Sequence, residues 1–359
     1  MNRLVSILIP AYNAEPWIAD AIQSALLQTW QRKEIIIVDD GSTDRTLSIA
    51  RRFESETVRV FAQSNQGAAA TRNKAFSLCH GDYIQWLDAD DVLAHDKIAL
   101  QLGALRTADS RLTLFAGAWG RFYHRLGKAT FTPSPLWCDL SATEWLLRKM
   151  EKDCFMQTAT WLVSRELTER AGPWDTRLLG DDDGEYFCRV QHACDVIRFV
   201  PGARVYYREI GANRLSNIGW SSRKLESQFL SIQLHIGHIR SLEDSTRSRS
   251  ACVKYLQKYM VHFYPERPDI IRHMQELAGA LGGTLQTPRL SWKYRWIQKA
   301  FGWRAGKTAR TVVPQLRRFL VRSWDKAMLF TENRNRWPVA TALQSQNKSG
   351  PKSTAAIGQ

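Results

Sequence analysis

At 359 residues and 44% hydrophobic content, the chain can bury one large core or two modest ones, and it is too apolar for disorder to dominate. Its 50 Lys and Arg against 35 Asp and Glu give a formal charge of +15, a field that favours nucleotides, phosphates, nucleic acid or an anionic membrane surface. The six cysteines are dispersed, without a CxxC pair or CxxC…H spacing; this argues against zinc and for a reduced, cytoplasmic protein.

The first hundred residues alternate between two patterns. "LVSILIPA" (4–11) is a continuous apolar run that stops at a proline, as a buried parallel strand does. It is too short for a secretory leader, and no stretch approaches the ~18–20 apolar residues that cross a bilayer. A helix is expected over 15–30, where apolar residues recur at helical spacing. A second strand follows at 34–40, and a helix opened by capping residues at 42–54. Strand 58–63, helix 67–79, strand 82–89 and helix 96–106 complete the series. This succession predicts an α/β fold with a parallel sheet and right-handed crossovers, its ligands gathered at the strands' carboxyl ends. Polar clusters fall at three such ends: Pro10–Asn13, Asp39–Ser42 and Asp88–Asp91.

The middle segment is less regular. A strand is expected over "LTLFAGAWGRFYH", a capped helix over "ATEWLLRKME", and a strand then a helix stopped by Gly172-Pro173 over "TATWLVSRELTERAGPW". "LLGDDDGEYFCRVQHA" (178–193) runs acids into a helix, and "VIRFVPGARVYYRE" (196–209) suggests a hairpin around Pro201-Gly202. Beyond about 215 the pattern is helical. Residues 289–336 carry 13 Lys and Arg against Asp325 and Glu332. The last ~20 residues are small and polar, as in a disordered tail.

Three constellations carry chemistry. Asp88 and Asp90 straddle one residue at the end of a buried strand. They would repel unless a hard divalent cation, shared with a phosphate, lay between them. The plainer alternative is a solvated turn with Asp91 capping the next helix. In "GDDDGEYFCR" (180–189) one Asp would suffice for an N-cap, and three invite a general base. "VDDGSTD" (38–44) is either a strand-to-helix turn or a carboxylate reader of a nucleobase N–H. Arg72, one turn inside a helix that begins near Gly67, is a candidate phosphate ligand or a surface arginine.

Taken in order, "VSILIPAYNAEPWIADAIQSALLQTW", "EIIIVDDGSTDRT", "NQGAAATRNKA", "GDYIQWLDADD" and "AGPWDTRLLGDDDGEYFCRV" closely resemble family 2 glycosyltransferases of GT-A fold, over about residues 3–210. The resemblance implies a mixed sheet flanked by helices, and transfer of a sugar, with inversion, from a nucleotide-diphosphate donor (most often UDP-linked) to a hydroxyl acceptor. Pro10, Tyr12 and Glu15 would line the nucleotide pocket. Asp40, with Asp39, would hold the base, and Arg72 would lie near the phosphates. Asp88-Ala89-Asp90 matches the DxD motif: Asp90 would bind Mg2+ or Mn2+, and Asp88 the ribose or the metal. Asp183, six residues before Arg189, matches the catalytic base; Asp182 stands where the family more often has Glu. His192, His235 and His238 are unanchored as a third metal ligand.

The expected organisation is a catalytic domain at 1–215, a basic helical region at 216–340 and a tail at 341–359. In the basic region Val312, Leu316, Phe319, Leu320, Ser323 and Ala327 share one helical face, and Trp292, Trp296, Ala300 and Trp303 align similarly. Such helices suit an anionic membrane surface or a lipid-linked acceptor, placing the protein at the inner face of the cell membrane; the alternative is an appendix packed on the catalytic domain. By resemblance the pathway is bacterial cell-surface polysaccharide or lipopolysaccharide synthesis. Nucleic acid is not an expected partner, because the charge lies away from the strand-end clusters. Two competitors are a nucleotidyltransferase, whose Gly-rich basic loop "PAYNAEPW" lacks, and a non-catalytic scaffold of the same fold held at the membrane.

Overall fold

The computed structural model describes residues 3–105, 112–152, 154–209 and 221–332. The expected boundary at 215 and the expected tail at 341–359 lie outside the described residues.

Strand β1 (Val5–Ala11), helix α1 (Ile18–Leu26), strand β2 (Lys33–Asp39), helix α2 (Thr46–Arg51), strand β3 (Val58–Ala62), helix α3 (Ala68–Leu78) and strand β4 (Tyr83–Trp86) follow the expected alternation. Next come strand β5 (Val92–Leu93), helix α4 (Lys97–Gly103), strands β6 (Thr113–Phe122) and β7 (Thr130–Phe131), helix α5 (Ala142–Lys152), strand β8 (Val163–Ser164), helices α6 (Arg165–Ala171) and α7 (Asp182–Ala193), and strand β9 (Val196–Arg208). The chain then turns helical through α8 (Ser222–Leu242), α9 (Thr246–Phe263), α10 (Pro268–Ala280) and α11 (Trp292–Glu332). The last is broken at Gly302, whose φ of 84° takes it out of helical geometry.

The strand order of the first sheet is β3-β2-β1-β4-β8, parallel except where β8 pairs with β4. Its inner strands are apolar on both faces, which is why they read as unbroken runs rather than alternations. Ile35 and Ile37 face one core with α1, while Ile36 and Val38 face the other, which also takes side chains from α3 and α5–α10. That second core extends from Leu8 to Leu281, so α8, α9 and α10 pack on the sheet as part of one apolar body.

The second sheet has the order β5-β9-β6-β7. Here the hairpin expected at Pro201-Gly202 is corrected. Residues 196–208 form one strand, β9, running parallel to β6 along its length. The register shifts between Gly117 and Ala118, so the irregularity at Pro201 is taken up as a bulge rather than a reversal. Gly117 makes this close approach feasible: a Cβ there would lie 2.1 Å from the Ala203 carbonyl oxygen.

Candidate active site

Because β2, β1 and β4 are neighbours, their carboxyl ends bring Pro10–Tyr12, Asp39–Asp40 and Asp88–Asp90 to one edge of the sheet. Backbone bonds fix the three ends to each other: Asp40 N donates to Ala11 O at 2.8 Å and Leu87 N to Leu8 O at 2.9 Å. The edge opens into a cleft of about 790 Å³. Pro10, Tyr12, Asp40, Arg72, Asp88, Asp90 and Asp183 all lie on its wall. Tyr12 is 52% exposed there, an aromatic face held at the rim.

Asp39 and Glu15 are placed differently, behind the wall. Asp39 is 1% exposed; one carboxylate oxygen accepts from Ser42 N at 3.0 Å, and the other has no hydrogen-bond partner among the described residues. Glu15 holds Arg45 through both Nε (2.8 Å) and Nη2 (2.6 Å) and accepts from its backbone N–H, and these bonds keep its carboxyl below the usual range. Asn13 Oδ1 also accepts from Thr43 N, so the loops after β1 and β2 are stitched together. Asp40 faces the cleft but is committed to structure. It accepts from Gln66 N (2.9 Å), Gly67 N (2.8 Å) and Gln63 Nε2 (2.8 Å), which satisfies donors at the start of α3.

Arg72 joins the two acidic clusters. From within α3, its Nη2 donates to Asp88 at 2.8 Å and its Nη1 to Asp182 at 2.7 Å, while the guanidinium lies 4.5 Å from the Trp174 ring centre. Burial works against its charge, but the Asp182 and Asp88 carboxylates outweigh that and raise its pKa. Its two terminal nitrogens therefore hold side chains of the chain itself, in a place where a phosphate ligand was expected.

Asp183 stands in the first turn of α7. One of its oxygens accepts from Thr158 Oγ1 at 3.1 Å, the other from Gly184 N at 2.8 Å. Burial first, then the Asp182 and Asp181 charges, push its carboxyl from 3.8 up to about 6. Asp181 precedes the helix with a left-handed φ of 57° and accepts from Ser231 Oγ of α8 at 2.6 Å. Behind it Lys149 Nζ meets His235 Nε2 at 2.7 Å; burial and the lysine charge bring that imidazole down to about 4, so it is neutral. A Cβ at Gly184 would crowd Asp181 Oδ1, so a larger residue there would displace the Asp181 carboxylate.

Asp91 does not cap α4, whose cap position is taken by Asp96. It is fully buried and accepts from Arg208 N at 2.8 Å and from Gln157 Nε2, bracing the Asp88–Asp91 turn against β9. Burial, then Asp90 and Asp88, raise its pKa well above the carboxylate range.

Among the described residues no three His, Cys, Asp or Glu side chains gather into a metal cage. His192 is exposed, His235 is buried beside Lys149, and His238 Nε2 donates to the Glu185 carboxylate at 3.2 Å; none lines the cleft. Asp88 and Asp90 nonetheless fit a cation of the Mg2+ type, which uses one or two carboxylates and draws its other ligands from water and substrate phosphate. Several wall residues carried no signal in the sequence. Gln157 caps a 3-10 turn over Thr158–Thr160 where a strand was expected, Trp174 reads as core, and Lys224, Gln228, Tyr255 and Lys258 come from α8 and α9.

The family described as Glycosyl transferase family 2 matches residues 6–170, bearing out the resemblance read from the motifs. The chain is 44% identical over 102 residues to an uncharacterized glycosyltransferase of Haemophilus influenzae, covering 28% of this chain and 41% of that protein. It is 45% identical over 105 residues to chondroitin synthase of Escherichia coli, covering 29% of this chain and 15% of that protein. The match thus spans less than half the length of either relative. The structure of S. aureus TarS 1-349 in complex with UDP-GlcNAc superposes with a TM-score of 0.59 at 17% identity, over 77% of this chain and 83% of that one. The expected fold, α/β sheets flanked by helices with a helical C-terminal region, is borne out.

Proposed function

We propose that this glycosyltransferase-family chain moves a sugar from a nucleotide-diphosphate donor, UDP-linked, to a hydroxyl acceptor with inversion, in the assembly of a cell-surface polysaccharide or lipopolysaccharide. One observation carries the reading: Arg72 ties Asp88, at the end of β4, to Asp182, at the start of α7, across a single cleft. The donor-side and acceptor-side acids are thereby held facing one space. The UDP-GlcNAc in the TarS complex and the polysaccharide named for chondroitin synthase support the donor and product classes.

The roles follow from the geometry. Pro10, Tyr12 and Asp40 form the nucleotide side of the cleft, with Asp39 and Glu15 supporting its loops from behind. Asp88 and Asp90 would hold Mg2+ or Mn2+, which supplies stabilisation of the charge that builds on the departing diphosphate. Asp183 takes the proton from the acceptor hydroxyl. A carboxyl near 6 is ionised at neutral pH yet basic enough to accept that proton. Thr158 and the Gly184 N–H fix its orientation. Burial raises the Asp182 carboxyl, and Arg72 opposes that rise and holds it in place beside Asp183.

The test incubates the purified protein with UDP-, GDP-, TDP- and CMP-sugars in Mn2+, Mg2+ or EDTA, following nucleotide binding and release. Metal-dependent binding of one donor, with release that Asp90→Ala removes, is the expected result. Absence of metal-dependent binding to every donor would sink the transferase reading and leave a non-catalytic scaffold of this fold.

A further inference from the structure

The C-terminal helix packs on the protein inside out. A helix appended to a globular body ordinarily buries its apolar stripe and turns its charges to water. Here the side of α11 that meets the body carries the charges. Asp325 accepts from Arg125 Nε (2.7 Å) and from His124 N (2.8 Å), and Lys307 donates to Glu266 (2.7 Å) and to the Tyr264 carbonyl (2.9 Å). The opposite side is apolar and faces outward. At about 100° per residue, Val312, Leu316, Phe319, Leu320 and Trp324 fall within roughly 80° of Leu316. Leu316 is 59% exposed and Trp324 68%. Phe330 extends the stripe, so it runs about 27 Å at 1.5 Å per residue. Arg310 and Arg317 border one flank, Arg322 and Lys326 the other, with Arg322 lying 5.9 Å from the Phe319 ring centre. Before the break at Gly302, Trp292, Trp296 and Phe301 are exposed as well.

We infer that this outward face of α11 docks on an anionic phospholipid surface. The pattern matches an interfacial helix: an apolar stripe holding Phe319, Trp324 and Phe330, bordered by cations that meet lipid phosphates. No helix among the described residues is long and apolar enough to cross a membrane, so the helix lies on the surface. A second copy is a poorer occupant, since pairing the stripe with itself would bring two sets of Arg and Lys together. The attachment point also sets the geometry of the cleft. His124, whose backbone bonds Asp325, packs at 5.6 Å against Trp17, a residue of the cleft wall. A chain docked through α11 thus holds its cleft close to the lipid, where an acceptor embedded in the bilayer could reach it.

The experiment is flotation of the full chain with vesicles of phosphatidylcholine alone or mixed in equal parts with phosphatidylglycerol. The wild type floats with the anionic vesicles and is released by high salt. Leu316→Glu/Leu320→Glu lowers the partition by at least about a hundredfold, because two exposed leucines lose their burial. Arg310→Gln/Arg317→Gln lowers it on the order of tenfold, and only on anionic vesicles. Trp324→Ala gives a smaller loss than the leucine pair. All these positions are exposed, so circular dichroism should be unchanged. Failure of the wild type to float on anionic vesicles would overturn the inference. So would equal flotation of the leucine variant, or a wild-type dimer in light scattering that the leucine variant dissolves without any vesicle binding.

Discussion

Replacing Asp183 by Asn should abolish transfer and at the same time stabilise the protein. In the folded chain its carboxyl titrates near 6 against an ordinary 3.8. Raising a carboxyl from 3.8 to about 6 means that the ionised group costs the fold about 3 kcal/mol at neutral pH. The side chain still reaches cleft water, and screening trims this to about 2 kcal/mol. Asparagine carries no charge, keeps an oxygen for the Gly184 N–H and presents a similar volume to Thr158. The sign is fixed by linkage. Between pH 3.8 and 6 the folded wild type binds more protons than the unfolded chain, so this group's contribution falls as pH rises through that window and is flat above it. The advantage of Asp183→Asn should therefore be full at pH 7.5, about half as large at pH 5, and nearly gone at pH 4. Urea unfolding of both proteins at these pH values, in EDTA and without donor, measures it. A variant less stable than wild type at pH 7.5, or a difference independent of pH, would show that the carboxyl is not held in its charged form at a cost. The same carboxyl predicts that the transfer rate falls tenfold per pH unit below about 6.

Asp90→Ala should remove metal-dependent nucleotide binding while leaving the unfolding free energy within about 0.5 kcal/mol of wild type, since Asp90 lies on the cleft wall rather than in the core; calorimetry with UDP in Mn2+ and in EDTA reads the loss. Arg72→Ala leaves Asp88 and Asp182 facing each other without their shared cation and should cost about 3–5 kcal/mol in urea unfolding. Arg72→Lys keeps the charge but cannot span both carboxylates, and should fall between. Gly117→Ala pushes a methyl against the Ala203 carbonyl and should cost about 1–3 kcal/mol by the same measurement, without changing the nucleotide affinity.

Local pattern was a good guide wherever the answer was local. The runs at 4–11 and 34–40 could be read as strands because both faces of β1 and β2 are buried, and a doubly buried strand advertises itself as an unbroken apolar run. Asp88, Asp90 and Asp183 stood out because each sits in more negative charge than a turn or cap needs. Residues 196–208 misled for the same reason. Pro-Gly is a local turn signal, and what overrode it was the pairing with β6, whose Gly117 accepts the bulge from some eighty positions away. Glu15 and Asp39 carried family signatures, yet their carboxylates serve the loops and not the cleft wall; exposure at that scale is set by packing and leaves no mark in the sequence. Thr158, Lys224 and Tyr255 had no motif at all, because they reach the site through α5–α9 packing as one body with the sheet.

The distribution of charge makes the chain's net +15 misleading as a guide to its centre. Much of the excess lies along residues 289–336, while the cleft wall sets Asp40, Asp88, Asp90, Asp181, Asp182 and Asp183 against Arg72, Lys149, Lys224 and Lys258. Both terminal nitrogens of Arg72 are engaged by Asp88 and Asp182, and Lys224 and Lys258 bring further positive charge to the wall from α8 and α9. The two negative charges of a donor diphosphate would be repelled by Asp88 and Asp90, so on the reading proposed above donor binding and cation binding should be coupled. The coupling is reciprocal: whatever factor the cation adds to nucleotide affinity, the nucleotide adds to cation affinity. With no three-residue cage among the described residues, the cation itself should bind weakly in the absence of donor. Arg72 thus acts as a spacer between two acids whose separation by 94 residues in the chain hides their contact. On the reading proposed above, EDTA should weaken donor binding, and an unchanged affinity would refute the coupling.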